Sequence, residues 1–289
     1  MNVIALGFFD GVHIGHAALL NQTVSVSNRL GLDSCALTFD VQPKQFISGK
    51  GEPLLNTTQD REYLLKQYVQ RVLTLRFDDF LMRMEPQIFI AEKIKPSAAH
   101  VVVGEDFRFG YKGEGTSTLL AMECKKFGIG CDIVPLIALD STTVGSTLIR
   151  RLIADGSMED AVRFLGHAHI LSGTVKHGRR LGTTIGAPTV NIEIPEHIVK
   201  PAYGVYLTRT FACGQRFPSI TNIGVRPTVA ENNRPNTETT IFGFSGDLYG
   251  EQIRIEFIKH MRNEKRFDSV DRLKAQIARD IETAKEMHG

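Results

Sequence analysis

The feature that most limits the folds open to this chain is a change of rhythm near Gly166. Before it, short apolar runs alternate with helical patterns. Strand-like segments fall at 2–7, 35–39, 72–75, 100–103 and 129–134, and helical ones at 17–30, 58–70, 86–94 and 118–127. Such alternation calls for a parallel sheet with crossover helices. After two short helical stretches, 146–154 and 158–165, β-like runs follow at 170–176, 203–209, 217–223, 237–244 and 251–258 with turn residues and no helix between them. That order suits an antiparallel barrel or sandwich. Only 269–287 reads as helix again, with Val270, Leu273, Ile277, Ala278 and Ile281 as its apolar face. The expected fold class is therefore α/β plus β, with one domain over 1–166 and a second over 167–289, and 289 residues suffice for two.

Composition removes several function classes. Lys and Arg number 34 against 32 Asp and Glu, a net charge of +2 without a long basic stripe, so neither nucleic acid nor a membrane surface is an expected partner. The halves differ mildly: 17 basic and 19 acidic side chains in 1–168, against 17 and 13 in 169–289. The apolar start stops at Phe9, carries no basic flank and runs into Asp10-Gly11, which fits neither a signal peptide nor a membrane span. Cys35, Cys124, Cys131 and Cys213 lack Cys-x-x-Cys spacing and read as buried thiols of a cytoplasmic protein.

The loop after the first strand is a privileged position, because ligands of open parallel sheets bind beyond the carboxyl ends of the strands. Here it reads Phe8-Phe9-Asp10-Gly11-Val12-His13-Ile14-Gly15-His16. Two imidazoles at i and i+3 share one side of a first helical turn, and Gly15 leaves the backbone N–H groups open to an anion. The bland alternative makes one histidine a helix cap, and Asp10 is either a partner for a divalent ion or an ordinary turn residue. A second element, Gly145-Ser146-Thr147-Leu148-Ile149-Arg150, sets two hydroxyls and a guanidinium at another helix start, either as an N-cap or as a clamp on a phosphate tail.

In the second half, Gly182-Thr183-Thr184-Ile185-Gly186-Ala187-Pro188-Thr189-Val190-Asn191 is glycine-rich but lacks the Gly-Lys-Ser/Thr of a P-loop. Thr189 and Asn191, two apart in an extended segment, point to one face and offer oxygens to a magnesium ion. An edge strand after a turn is the plainer reading of the same residues. Glu238, the only acid in the 237–244 run, is either a solvent-facing carboxylate or a base for a hydroxyl nucleophile.

Gly7-Phe8-Phe9-Asp10-Gly11-Val12-His13-Ile14-Gly15-His16, Val103-Gly104-Glu105-Asp106-Phe107-Arg108-Phe109-Gly110 and the hydroxyl-rich run ending at Arg150 together resemble the nucleotidyltransferase module of bacterial bifunctional riboflavin kinase/FAD synthetases. The second half resembles the kinase module of the same family through Gly186-Ala187-Pro188-Thr189-Val190-Asn191, Asn222-Ile223-Gly224-Val225-Arg226-Pro227-Thr228, Leu248-Tyr249-Gly250 and Arg262-Asn263-Glu264-Lys265-Arg266-Phe267. The resemblance implies a Rossmann-like parallel sheet, then a six-stranded antiparallel β-barrel with a terminal helix. It also implies ATP, riboflavin, FMN and FAD as substrates and products, magnesium supplied with ATP, and two reactions, riboflavin to FMN and FMN to FAD.

By that resemblance His13 and His16 meet the ATP phosphates, Ser146, Thr147 and Arg150 hold pyrophosphate, and the loop with Gly104, Asp106, Phe107 and Arg108 lies near nucleotide or flavin. Thr189 and Asn191 take Mg-ATP, Glu238 acts as base, and the 262–267 segment lies near flavin. Gly11, Gly15, Gly182, Gly186, Pro188, Arg226, Arg262 and Glu264 are further ligand-contacting positions on the same ground. The chain departs from the family pattern at Val41-Gln42, where Pro-His is usual, and at Leu148, where an arginine is expected. Ala187, Thr240 and Gly243 replace the usual phenylalanine, histidine and aspartate. A chain retaining only the kinase is the competing expectation, and weak self-association is left open.

Overall fold

The computed structural model describes residues 1–49, 51–176, 189–225 and 235–288. They form two compact units, Met1–Glu52 with Thr58–Ser146, and Pro53–Thr57 with Thr147–Gly289.

The first unit is built on a five-stranded sheet in the order Arg71–Leu75, Asp33–Phe39, Asn2–Leu6, Ala98–Gly104, Gly130–Val134. Every neighbouring pair is parallel. The run Asn-Val-Ile-Ala-Leu has no polar face to turn to water, and it lies buried along its whole length at the centre. Strands two and three extend the sheet to one side and the later strands to the other. The topological switch point therefore lies between Asn2–Leu6 and Ala98–Gly104, and their following loops flank one crevice.

Helix Ile14–Leu30 covers the sheet and stops at Gly31, whose φ of 64° lets its N–H reach the carbonyls of Asn28 and Ser27. Two local readings change. The helix expected over 58–70 ends at Leu65, and the loop expected after Phe39 contains a short helix, Pro43–Ser48, with proline at its start.

The second unit is a six-stranded antiparallel sheet in the order His169–Thr174, Gln252–Asn263, Gly204–Ala212, Gln215–Val225, Pro235–Ile241, Thr189–Glu193. The two edges meet through a bridge between Lys176 and Asn191, and a Cβ on Gly173 would stand 3.1 Å from Ile192 Cβ, so the sheet curls into a barrel. One face carries buried hydroxyls that satisfy one another: Thr208 bonds Ser219 at 2.8 Å and Thr221 at 2.9 Å, and Thr221 bonds Thr239 at 2.9 Å.

Helix Val270–His288 covers part of the other face, with Ala284 and Ile281 against Val205, Leu207 and Ile220. Its expected apolar face is only partly used: Val270, Leu273 and Ala278 are exposed, and the contact runs through Ile281 and Ala284 instead. Helices Ser146–Ala154 and Met158–Leu165 bury Ile153, Met158, Ala161 and Leu165, and almost all of this stretch is counted with the barrel unit rather than the sheet. Of the four thiols, Cys35 and Cys124 are buried as expected. Cys131 is half-buried, and Cys213 is exposed because it occupies a hairpin turn with φ of 48°.

His169 is buried beside Phe257, and burial followed by the nearby His167 lowers its pKa to about 3. An unfolded chain binds this proton near pH 6.5 and the folded one does not. The contribution of His169 to stability is thus present above pH 6.5 and is lost between 6.5 and about 3, by up to about 1.4 kcal/mol per pH unit. His169→Leu is expected to flatten the acid limb of a stability-against-pH curve; an unchanged acid limb would contradict this assignment.

Candidate active sites

In the first unit the strand Asn2–Leu6 hands over to a loop held in unusual conformations. Phe9 and Val12 have φ of 60° and 43° and Gly11 has φ of 83°. Phe9 and Val12 are buried, so packing holds a backbone that bulky residues rarely adopt. The loop delivers His13 as the N-cap of helix Ile14–Leu30, its Nδ1 accepting the His16 N–H at 3.3 Å. The two rings stack 3.7 Å apart at 14°, and Phe9 meets His16 edge-on at 5.3 Å. His13 is thus the helix cap and a wall of the site at once. Burial first, and then the neighbouring His13, hold the His16 pKa well below the ordinary 6.5, so at neutral pH it is an uncharged imidazole.

His13, Gly15 and His16 line a cavity of about 380 Å³ together with Gly104, Asp106, Phe107 and Arg108 from the loop after the fourth strand. Phe8, Phe9, Phe39 and Phe107 give it aromatic walls, the mix of apolar surface and few polar groups typical of small-molecule sites. The opposite loop is pinned through Glu105, which lies inside the second motif but was given no role there. Its N–H donates to the Val134 carbonyl at 2.9 Å, its carboxylate accepts from Leu136 N–H at 3.0 Å, and its carbonyl accepts the Ser117 hydroxyl at 3.0 Å. Ser146, also on the cavity wall, donates its hydroxyl to the Asp10 carbonyl at 2.9 Å and so ties the third motif to the first. Thr147 and Arg150 belong to the second unit, where Arg150 Nη1 donates to Thr147 Oγ1 at 3.3 Å.

Arg61 also escaped the sequence reading, since its helix carries no motif. It is fully buried, donates to the Phe39 carbonyl at 2.6 Å, and lies 4.2 Å from the centre of the Phe8 ring. Burial lowers its pKa to about 10 against the attraction of Asp10, Glu62 and Asp40, which leaves it charged at neutral pH. Arg61 therefore backs the Phe8 wall with a cation.

In the barrel, Thr189 Oγ1 donates to Glu238 Oε1 at 3.2 Å, and Asn191 is the cross-strand partner of Glu238. On its other side Glu238 is paired with Asn222. Directly paired residues share a face, so these four polar side chains belong to one surface of two adjoining strand pairs. Asn191 is buried and its carbonyl accepts the Lys176 N–H at 2.9 Å. Hydroxyl, amide and carboxylate oxygens are the donors magnesium prefers, so the residues present fit that ion. Among the described residues no group of three or more His, Cys, Asp or Glu is placed to hold a metal. Gly182, Gly186, Pro188 and Arg226 lie outside the described residues. Arg262 lies at the end of strand Gln252–Asn263 and Glu264 directly follows the strand, and the guanidinium of Arg262 is bound to Asp280 at 2.6 Å.

A parallel sheet with a helix start and two imidazoles at its switch point, carried in one chain with a barrel that sets a carboxylate beside a hydroxyl and an amide, defines a nucleotide-using transferase with two sites. The comparisons agree. Residues 1–148 match the family model described as FAD synthetase and 165–288 the one described as riboflavin kinase. The bifunctional riboflavin kinase/FMN adenylyltransferases of Haemophilus influenzae and Escherichia coli K12 are 35% and 36% identical, over 98% and 99% of this chain and 92% and 93% of theirs. The Bacillus subtilis protein of that name is 30% identical over 98% of this chain and 91% of its own. A crystal structure described as a macrolide-efflux protein from Streptococcus pneumoniae superposes with a TM-score of 0.84 at 29% identity, covering 98% of this chain and 94% of that one. Among the described residues no helix is long and apolar enough to cross a membrane. This chain belongs to the bifunctional riboflavin kinase/FMN adenylyltransferase family.

Proposed function

We propose that the chain makes FAD in two steps, phosphorylating riboflavin at the barrel and adenylylating the resulting FMN at the parallel sheet, with ATP as donor each time. The observation that carries the kinase half is the gathering of Thr189, Asn191 and Glu238 on paired strands. Glu238 takes the proton from the ribityl 5′-hydroxyl as that oxygen attacks the γ-phosphorus of ATP, and ADP leaves. Thr189 and Asn191 hold Mg-ATP; the bound ion neutralises phosphate charge there.

At the sheet, the FMN phosphate is already an anionic nucleophile and needs no base. It attacks the α-phosphorus of ATP and pyrophosphate departs. Catalysis is then positioning and charge stabilisation. The helix start at Ile14 and the imidazoles donate to phosphoryl oxygens, and Ser146 on the same cavity wall meets pyrophosphate; Thr147 and Arg150 are assigned to pyrophosphate by the family resemblance alone. The cavity beside Phe107 and Arg108 takes an aromatic part of the reactants. We assign 1–166 to the adenylyltransferase and 167–289 to the kinase. The ATP requirement suits a cytoplasmic enzyme.

One observation favours a kinase-only reading: Leu148 supplies no cation where the family pattern has arginine. Supplying FMN alone, with ATP and magnesium, separates the two readings, because FAD appears only if the sheet site turns over. Asn191→Ala is expected to lower kinase turnover at fixed Mg-ATP by about tenfold to a hundredfold, the scale seen on removing groups that support a metal site, with an unchanged melting temperature. A fall in melting temperature with turnover per folded molecule preserved would make Asn191 a strand residue only.

A further inference from the structure

We propose that Arg262 and Asp280 form a positioning clamp for the riboflavin end of the kinase site, with Arg262 acting on the segment after it rather than touching flavin. The inference rests on the kinase reading above. Five residues lie in one row across the barrel sheet: Asn191 pairs with Glu238, Glu238 with Asn222, Asn222 with Val205, and Val205 with Arg262. The row carries the polar group around Glu238 at one end and the start of the 262–267 segment at the other.

The segment turns back toward that polar group. A Cβ on Gly224 would stand 3.0 Å from Glu264 Oε1 and 3.3 Å from Asn222 Nδ2, so the Glu264 carboxylate lies beside the amide paired with Glu238. Gly224 leaves the room that this approach needs.

The guanidinium itself is engaged inside the chain. Arg262 Nε donates to Asp280 Oδ1 at 3.1 Å and Oδ2 at 3.0 Å, Nη2 donates to Oδ2 at 2.6 Å, and Nη1 donates to the carbonyl of Asn263 at 3.0 Å. Each nitrogen therefore already has an acceptor, one of them on the backbone of the segment to be placed. Asp280 is held in turn by Gln276 Nε2 at 2.8 Å. Its helix is anchored one turn on by Ala284 and by Ile281 against Val205 and Leu207. The pair is mostly buried, at 17% and 10% side-chain exposure, so its geometry is stiff and the loss of either partner leaves a charge with poor solvation.

The test is a double-mutant cycle on Arg262→Lys and Asp280→Asn, reading the riboflavin KM, the ATP KM, the FMN-to-FAD rate and the melting temperature. Each single variant is expected to raise the riboflavin KM by about tenfold and leave the ATP KM within about twofold. The double variant should be no worse than the worse single one, because both act through one bridge. Gln276→Ala, a milder change, should shift the riboflavin KM in the same direction by a smaller factor, and it carries the test if Asp280→Asn does not fold. An Arg262→Lys effect much larger than that of Asp280→Asn, adding to it in the double variant, would make Arg262 a direct flavin contact and overturn the clamp. A lowered melting temperature with an unchanged riboflavin KM would reduce the pair to a structural tie. If wild type forms no FMN, the kinase reading itself fails; riboflavin binding followed by its fluorescence then decides the clamp, which requires weaker binding in both variants.

Discussion

Replacing Glu238 by Gln is expected to lower FMN formation from riboflavin by about two to four orders of magnitude, the usual scale for losing a general base. The amide keeps the shape of the side chain and can still accept from Thr189, whose hydroxyl lies 3.2 Å from Glu238 Oε1. It cannot take a proton from a ribityl hydroxyl. Strand pairing through Asn191 and Asn222 uses backbone groups and is untouched by the change. FAD formation from supplied FMN should therefore continue at the wild-type rate, which makes each protein its own control. Wild-type FMN formation by a folded Glu238→Gln variant would remove the residue from the mechanism.

His16→Ala should have the mirror effect, abolishing most FAD formation from FMN while riboflavin phosphorylation persists. The ring is stacked on His13 at 3.7 Å and buried against Phe9, so truncation removes both the proposed hydrogen-bond donor to phosphate and the ring stacked on the helix cap His13. Because burial and His13 keep His16 uncharged, the role proposed for it is that of a neutral hydrogen-bond donor, and the adenylylation rate should not fall through deprotonation of His16 as pH rises from 6.5 to 8. Equal loss of both activities would instead make His16 a prop for the whole chain.

The strand-helix alternation and the later run of strands were legible because burial imposes periodicity: Asn2–Leu6 is apolar throughout, and helix Ile14–Leu30 ends where Gly31 adopts positive φ. The strand Thr189–Glu193 was legible as an edge strand, and it does stand at one end of the sheet, but its pairing with Pro235–Ile241 was not. The side chains that meet at each site come from distant points of the sequence. No local pattern announces that Ser146 will reach the carbonyl of Asp10, that Arg61 will lie behind Phe8, or that Asp280 will hold Arg262. Those contacts are products of sheet order and barrel register. The helix cap at His13 shows the opposite limit: the plain and the functional readings of His-Ile-Gly-His describe the same residue, because the geometry that caps the helix also turns the ring toward the cavity.

The central claim is that one chain performs both steps at separate sites, and a time course begun with riboflavin, ATP and magnesium, with FMN and FAD measured separately, tests it most directly. FMN should rise first and FAD should follow. Glu238→Gln should lower both products from riboflavin by about two to four orders of magnitude, and added FMN should restore FAD alone. FMN accumulating without any FAD at high ATP and magnesium would contradict the account and leave a kinase joined to a silent sheet domain.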